Sequence, residues 1–352
     1  MYLILRSWRA GIALLLLLFA CCVTLSGCAT LPTEQTIYAM DTFITIKAYG
    51  PDASAAVNKA MAVFTTSDQH MNVFDSSSEL AMVNAASGQK AVQVSADTFK
   101  VIEAALAMAR LTDGAFNPLI GRISGLWKQA EAQNQVPDRE QIRRALRFTD
   151  YRKVILDPST STVELTEAGM AFDLGGAAKG YATGAAMERL VEPPAAGDRG
   201  RGNGGKGNGV RHALINAGGN IVVFGGHPEK RPWNISITHP RNSERFLGTL
   251  SINEGAVVTS GDYERFFIQN GERYHHIIDP ATGFPATGMQ SVSIVSSDSL
   301  QADLLSTAVF VMGVSKGLAF LESHFPEVGA ILVDSDGEIH MTPGFRERFS
   351  WR

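Results

Sequence analysis

The 352-residue sequence holds three cysteines, Cys21, Cys22 and Cys28, and none lies beyond position 28. Disulfides and thiolate metal sites are therefore excluded from everything after that point. An excess of basic residues is also missing. The formal charge is −4, which speaks against a general nucleic-acid binder, because such a protein needs a basic surface. Internal repeats are lacking, and strands do not alternate regularly with helices as a doubly wound sheet would require. What remains is a globular composition, 45% hydrophobic and 19% charged, with mean hydropathy +0.02. The length suits one large domain or two ordinary ones.

The N-terminus reads as an export signal. Arg6 and Arg9 form a short positive region, and Ala10 to Val23 is an almost unbroken apolar run. That run is short for a membrane span, which needs about 20 apolar residues, and suits a signal-peptide core. Leu25-Ser26-Gly27-Cys28 looks like a lipobox, a small-residue cleavage site ending in a cysteine to be lipidated. Thr30, Pro32, Thr33, Glu34 and Gln35 then read as a polar linker. The expected division is a signal peptide over 1–27, lipidated Cys28 with its linker over 28–37, and a folded domain over 38–345. An uncleaved membrane anchor is the alternative. Removing 1–27 takes away two arginines and no acid, so the formal charge of −4 becomes −6.

Local patterning gives an α+β fold: one large domain of short, mixed strands with flanking helices. Residues 43–49 alternate as a strand, and Ser54 to Phe64 carries Val57, Met61 and Phe64 on one helical face. Ser95 can cap a helix running to Leu111, and another helix should begin near Pro137-Asp138. Short strands are expected at 153–156, 162–165, 213–216, 221–224, 233–237, 246–252, 265–268, 273–278 and 291–295. A helix near 177–190 interrupts them, a long helix follows over 299–323, and a strand near 329–333 closes the fold. Residues 192–210 are rich in Gly and Pro, and read as a mobile surface insertion without a phosphate-binding frame.

Five constellations could carry chemistry. Asp303 and Thr307 share one face near the start of the last helix, where a carboxylate and a hydroxyl suit a hard cation. The plainer reading is a first-turn Asp favoured by the helix dipole. Phe172-Asp173-Leu174-Gly175-Gly176 leads into Lys179, a turn whose free backbone groups could meet phosphate or metal, or a plain strand-to-helix join. Thr259-Ser260-Gly261-Asp262-Tyr263-Glu264-Arg265 precedes the pair His275-His276 and an Asp279-Pro280 turn. A histidine there could be a general base, and only one of the pair can face a site. Asn216-Ala217-Gly218-Gly219-Asn220 reads as a hairpin turn open to close backbone approach. The loop 111–121, continuing to Trp127, carries Phe116, which could stack on a flat heterocycle or simply plug a helix end.

Taken in order, these stretches resemble the ApbE family, the FAD:protein FMN transferases. The matching segments are Met40-Asp41-Thr42, Met71 to Phe74 with Ser78-Glu79-Leu80 and Asn84, Gly114 to Asn117, Asp173 to Gly176 with Lys179-Gly180, Asn216 to Asn220, Thr259 to Tyr263, His276 to Pro280, and Ala302-Asp303 with Ser306-Thr307-Ala308. They run through nearly all of 38–345. The resemblance implies that Asp303 and Thr307 hold Mg²⁺ together with the backbone of Gly176. Met40, Phe74, Ala115, Phe116 and Asn117 would line the flavin and adenine sides of FAD, and Asp173 and Lys179 would contact the dinucleotide. His276, beside the pyrophosphate, would be the base. Two positions depart from the family pattern: many members carry Gly where Asp41 stands, and Asp where Asn117 stands.

By this resemblance FAD is the substrate. A Thr or Ser hydroxyl of an acceptor protein takes its FMN half, and AMP leaves. The expected acceptor is a flavin-bearing subunit of a membrane redox pump. The enzyme would sit on the periplasmic side of a bacterial membrane, held only by the lipid on Cys28. Ala29 rather than Asp after that cysteine leans toward the outer membrane. A Mg²⁺-dependent FAD pyrophosphatase and a non-enzymatic flavin-binding lipoprotein are the two alternatives.

Overall fold

The computed structural model describes residues 31–192 and 209–352, and the fold occupies Thr33–Arg352. The expected signal peptide, Cys28, and nearly all of the insertion over 192–210 lie outside the described residues.

The centre is an eight-stranded sheet in the order Thr33–Ala39, Thr42–Tyr49, His212–Ala217, Asn220–Phe224, Gly255–Gly261, Met289–Ser296, Gly329–Asp334, Ile339–Met341. Every neighbouring pair is antiparallel. Both faces are covered, as the sequence of the middle strands requires. All eight residues of Met289–Ser296 are buried. Successive side chains leave a strand on opposite faces. Ala256, Val258, Val292, Ile294 and Leu332 enter one core, while Val257, Val295 and Ile331 enter the other.

The first core lies beneath the helices Ala53–Met71, Ala178–Val191 and Ser299–His324. A three-stranded sheet, Phe349–Trp351 with Asn242–Ile252 and Trp233–His239, covers the second. A smaller cluster joins the helices Gly121–Gln133 and Arg139–Leu146 to the hairpin Phe266–Gln269/Glu272–His275 through Ile123, Trp127, Ile142, Phe267 and Tyr274. The mixture of helices and antiparallel sheets is the α+β architecture expected from the sequence.

Several boundaries differ from the sequence reading. The supposed linker turns into sheet at Thr33, because Thr33–Ala39 pairs residue by residue with Thr42–Ala48. The helix expected over 54–64 runs on to Met71, where Ser67 and Met71 continue the buried face. The loop reading of 111–127 holds only to Ile120, since Gly121 opens a helix. Pro137 precedes its helix, and Asp138 is the cap, its Oδ1 accepting from the N–H groups of Glu140 and Gln141. The strand expected over 273–278 ends at His275. Helix Ser299–His324 is interrupted at Gly313, whose φ of 74° and ψ of 179° are non-helical. Phe349–Trp351 pairs with Gly248–Leu250, so the fold extends past residue 345.

Candidate active site

The N-termini of two helices meet to form the floor of the site. Asp298 caps Ser299–His324 by accepting from the N–H groups of Leu300 and Gln301. Ser299 Oγ then donates to Gly180 O at 2.6 Å, and Gly180 N–H donates to Asp303 Oδ2 at 2.7 Å. The helices approach this closely because residue 180 is glycine. A Cβ there would lie 2.4 Å from Ser299 O and 2.5 Å from Asp303 Cβ.

Asp303 is almost completely buried, and burial pushes its carboxyl above the ordinary range. The nearby charge of Lys179, the Gly180 N–H and the Asn220 amide oppose that shift. Among the described residues no cationic side chain lies within ion-pair distance of Asp303. Asn220 is buried beside it, its Nδ2 close enough to favour the carboxylate but without a well-aligned hydrogen bond to any partner among the described residues. Gly176 closes this end. Its turn is set by Asp173 Oδ1, which accepts from Gly175 N–H at 2.8 Å. A Cβ on Gly176 would stand 3.0 Å from Thr307 Oγ1. A buried carboxylate, a hydroxyl and a tight backbone turn thus converge on one spot.

A cavity of about 710 Å³ opens from this floor. Its walls include Met40, Phe74, Ala115, Phe116, Asn117, Asp173, Gly176, Lys179, His276, Asp303 and Thr307, every residue to which the resemblance assigns a metal, FAD or catalytic role; Asn216, Asp262 and Asp279 of the candidate stretches do not line it. The cavity is of the size that holds a small-molecule ligand. Lys179 makes no ion pair among the described residues, and its charge acts on Asp303, His276 and Glu264.

Both histidines line the cavity, contrary to the expectation that only one would, and because the strand ends at His275 the two rings differ in their surroundings. His275 is buried, with Nε2 against Ala286 O at 2.9 Å and its ring edge-on to Phe310. His276 is exposed to solvent where it opens into the cavity, although many protein atoms lie around it. Desolvation, then the charges of Arg265 and Lys179, lower its pKa to about 3. Its Nδ1 lies 3.3 Å from Arg265 O, and its own N–H donates to the same oxygen at 3.2 Å. Facing a carbonyl, Nδ1 must carry the ring proton, which leaves Nε2 as a neutral acceptor.

Not every wall residue is free to bind. Asn117 uses Nδ2 on Thr149 O and Oδ1 on Leu119 N–H, so its side chain shapes the loop. Phe116 is buried against the Gly176 turn. Phe74 is exposed, and Lys128 Nζ sits 3.1 Å above the centre of its ring. Sequence reasoning gave no role to Glu264, Arg265, Lys128 or Asn220, all of which line the cavity. Asn220 had a signal, since it ends the Gly-Gly hairpin motif. Glu264 and Arg265 close the polar stretch that begins at Thr259, but the pairing of Arg265 with Asp41, 224 residues away, had no signal.

The family model described as "ApbE family" matches residues 40–332. An FAD:protein FMN transferase of Klebsiella pneumoniae is 35% identical over 309 residues, covering 87% of this chain and 90% of the relative. Another, of Treponema pallidum, is 35% identical over 326 residues, with 87% and 86% covered. The crystal structure of the ApbE protein of Thermotoga maritima superposes with a TM-score of 0.78 at 32% identity, covering 91% of this chain and 99% of that one. The sequence motifs, the helix-floored cavity and these likenesses agree, and the chain belongs to the ApbE family.

Proposed function

We propose that this protein transfers FMN from FAD to a Thr or Ser hydroxyl of an acceptor protein and releases AMP. One observation carries the reading: the buried Asp303 carboxylate, which has no cationic side chain within ion-pair distance among the described residues, and the His276 imidazole face the same cavity of about 710 Å³.

The residues fit a hard divalent cation. Asp303 offers a carboxylate oxygen, Thr307 a hydroxyl and Gly176 a backbone carbonyl, an all-oxygen set of the kind Mg²⁺ takes. When bound, Mg²⁺ would neutralise pyrophosphate oxygens and the leaving AMP. Lys179 adds a second positive charge where the dinucleotide phosphates would lie. Met40 and Phe74 supply apolar surface for a flat ring.

His276 removes the proton of the acceptor hydroxyl at Nε2. The hydroxyl oxygen bonds to the phosphorus on the riboflavin side, and the bond from that phosphorus to the bridging oxygen breaks. The products are an FMN–protein phosphoester and AMP. The pKa of about 3 keeps His276 neutral and ready across physiological pH. A base this weak gains little from proton affinity, so positioning of the hydroxyl must supply much of the rate.

By its lipobox, the protein is held on the periplasmic side of a bacterial membrane through lipid on Cys28, with the outer membrane favoured. A flavin-bearing subunit of a membrane redox pump is the acceptor we propose. The test incubates residues 29–352 with FAD, Mg²⁺ and an acceptor domain bearing the target threonine, and reads acceptor mass and AMP release. A gain of one FMN less water, lost with EDTA and in Asp303→Ala, supports the reading. AMP release beside an unmodified acceptor would point instead to an FAD pyrophosphatase. Intact FAD in the presence of Mg²⁺ would overturn both and leave a flavin carrier.

A further inference from the structure

Asp41 occupies a costly position. Met40 and Asp41 form the two-residue turn between Thr33–Ala39 and Thr42–Tyr49, with φ of 52° and 64°. Such a turn favours glycine or asparagine, because an ordinary side chain is strained at positive φ. Asp41 gains nothing from packing there, as its side chain is exposed. Its carboxylate instead makes two contacts. Tyr38 Oη donates to Oδ1 at 3.2 Å, and Arg265 Nη1 lies 3.4 Å from Oδ2. An ion pair this exposed contributes little to stability.

The pair's location gives it another use. Asp41 and Arg265 both line the cavity, so the contact spans its mouth from one hairpin to the other. Arg265 is also the residue whose carbonyl faces His276 Nδ1 and receives the His276 N–H. The guanidinium end of Arg265 is tied to Asp41 and its backbone end to the imidazole.

We propose that Asp41 is a positioning residue: it fixes Arg265 across the cavity mouth, and through the Arg265 carbonyl it keeps the His276 ring presenting Nε2 to the acceptor hydroxyl. This rests on the transferase reading for its kinetic part and on the apo protein alone for its structural part.

Asp41→Gly separates this role from a merely structural one. Glycine suits the left-handed turn, so Tm should hold or rise. If Asp41 positions the base, kcat for FMN transfer falls about tenfold while KM for FAD stays within about twofold. Asp41→Asn should behave alike, and Asp41→Gly combined with Arg265→Ala should be no worse than Arg265→Ala alone. In the apo protein, ¹⁵N shifts of His276 should report the Nδ1–H form in wild type and a tautomer mixture in Asp41→Gly. Wild-type kcat and unchanged His276 shifts in Asp41→Gly would overturn the proposal, as would a kcat loss that merely tracks a fall in Tm. Should wild type itself fail to transfer FMN, the transferase reading fails, and the ¹⁵N comparison still decides whether Asp41 holds the ring.

Discussion

Asp303 Oδ2 accepts a 2.7 Å hydrogen bond from the backbone N–H of Gly180, joining two helix N-termini that lie 123 residues apart. The bond meets one oxygen of a carboxylate that burial disfavours and that has no ion-pair partner among the described residues. Asp303→Asn keeps an acceptor for Gly180 and removes the buried charge. Without Mg²⁺ the variant should be as stable as wild type or more stable, by on the order of 1 kcal/mol. Added Mg²⁺ should raise the Tm of wild type and leave that of Asp303→Asn unchanged, and FMN transfer should be lost in the variant. Differential scanning fluorimetry with and without EDTA checks the first two outcomes, and acceptor mass checks the third. A Mg²⁺-dependent Tm rise in Asp303→Asn would remove the carboxylate from the metal set.

Gly176→Ala tests the other side of the same spot. The new methyl would lie 3.0 Å from Thr307 Oγ1 and 3.2 Å from Phe116 Cε2, so the hydroxyl must rotate or the turn must shift. Gly176 has no positive φ to lose, which confines the effect to space. The expected result is a drop of about 10- to 100-fold in transfer, because a small misplacement at a reacting centre is that damaging. Stability should change by about 1 kcal/mol or less. Titrating activity against Mg²⁺ should show a higher half-saturating concentration than in wild type.

The pH dependence follows from His276. Its pKa is lowered from 6.5 to about 3, so the neutral, base-competent form persists well into acid. The acid limb of kcat should therefore lie far below pH 6.5, with a flat profile across neutral pH. Lys179→Met removes one of the charges that depress this pKa. The limb should then move to higher pH, even though KM for FAD also rises. The same shift makes a stability statement. Between about pH 3 and 6.5 the unfolded chain binds a proton that the folded His276 refuses. Because the ring is solvent-exposed the contribution to stability is small; it is full above pH 6.5 and is lost as pH falls towards 3. A limb that stays put in Lys179→Met would detach Lys179 from the base.

Much of this arrangement is legible in the sequence because short motifs carry their own geometry. The four-residue spacing of Asp303 and Thr307 faces both into one cavity. The strand alternation read at His275-His276 does not apply, because the strand ends at His275 and both rings line the cavity. The Gly218-Gly219 hairpin is likewise visible, with both glycines at positive φ. What the sequence hides has physical reasons. Thr33–Ala39 is polar because it is an edge strand with alternating exposure, so its composition imitates a linker. Gly121–Gln133 has weak apolar patterning, since it buries only Ile123, Trp127 and Ala130. Asp41 and Arg265 meet only because two distant hairpins converge, and Asn117 looks like a ligand residue until its two loop bonds are seen.

The anchoring of that weakly patterned helix gives the last prediction. Trp127 Nε1 donates to Gly283 O at 2.8 Å, and its ring stacks on Tyr274 with 5.6 Å between centres and meets Phe284 edge-on. The helix is thereby fastened to the chain on both sides of His276: to the strand before it through Tyr274 and to the Asp279–Gly283 turn after it through Gly283. Trp127→Phe keeps a ring but removes the hydrogen bond and part of the contact area, and should cost about 1–2 kcal/mol. Trp127→Ala should cost about 3–5 kcal/mol, as a large buried aromatic does. Because the turn carries the backbone that follows His276, Trp127→Phe should also lower kcat under conditions where the variant stays fully folded. Urea denaturation gives the stability terms, and transfer kinetics well below the unfolding midpoint give the kcat. A stability loss with unchanged kcat would mean that the turn holds its shape without Trp127, and that the base is set from the Arg265 side alone.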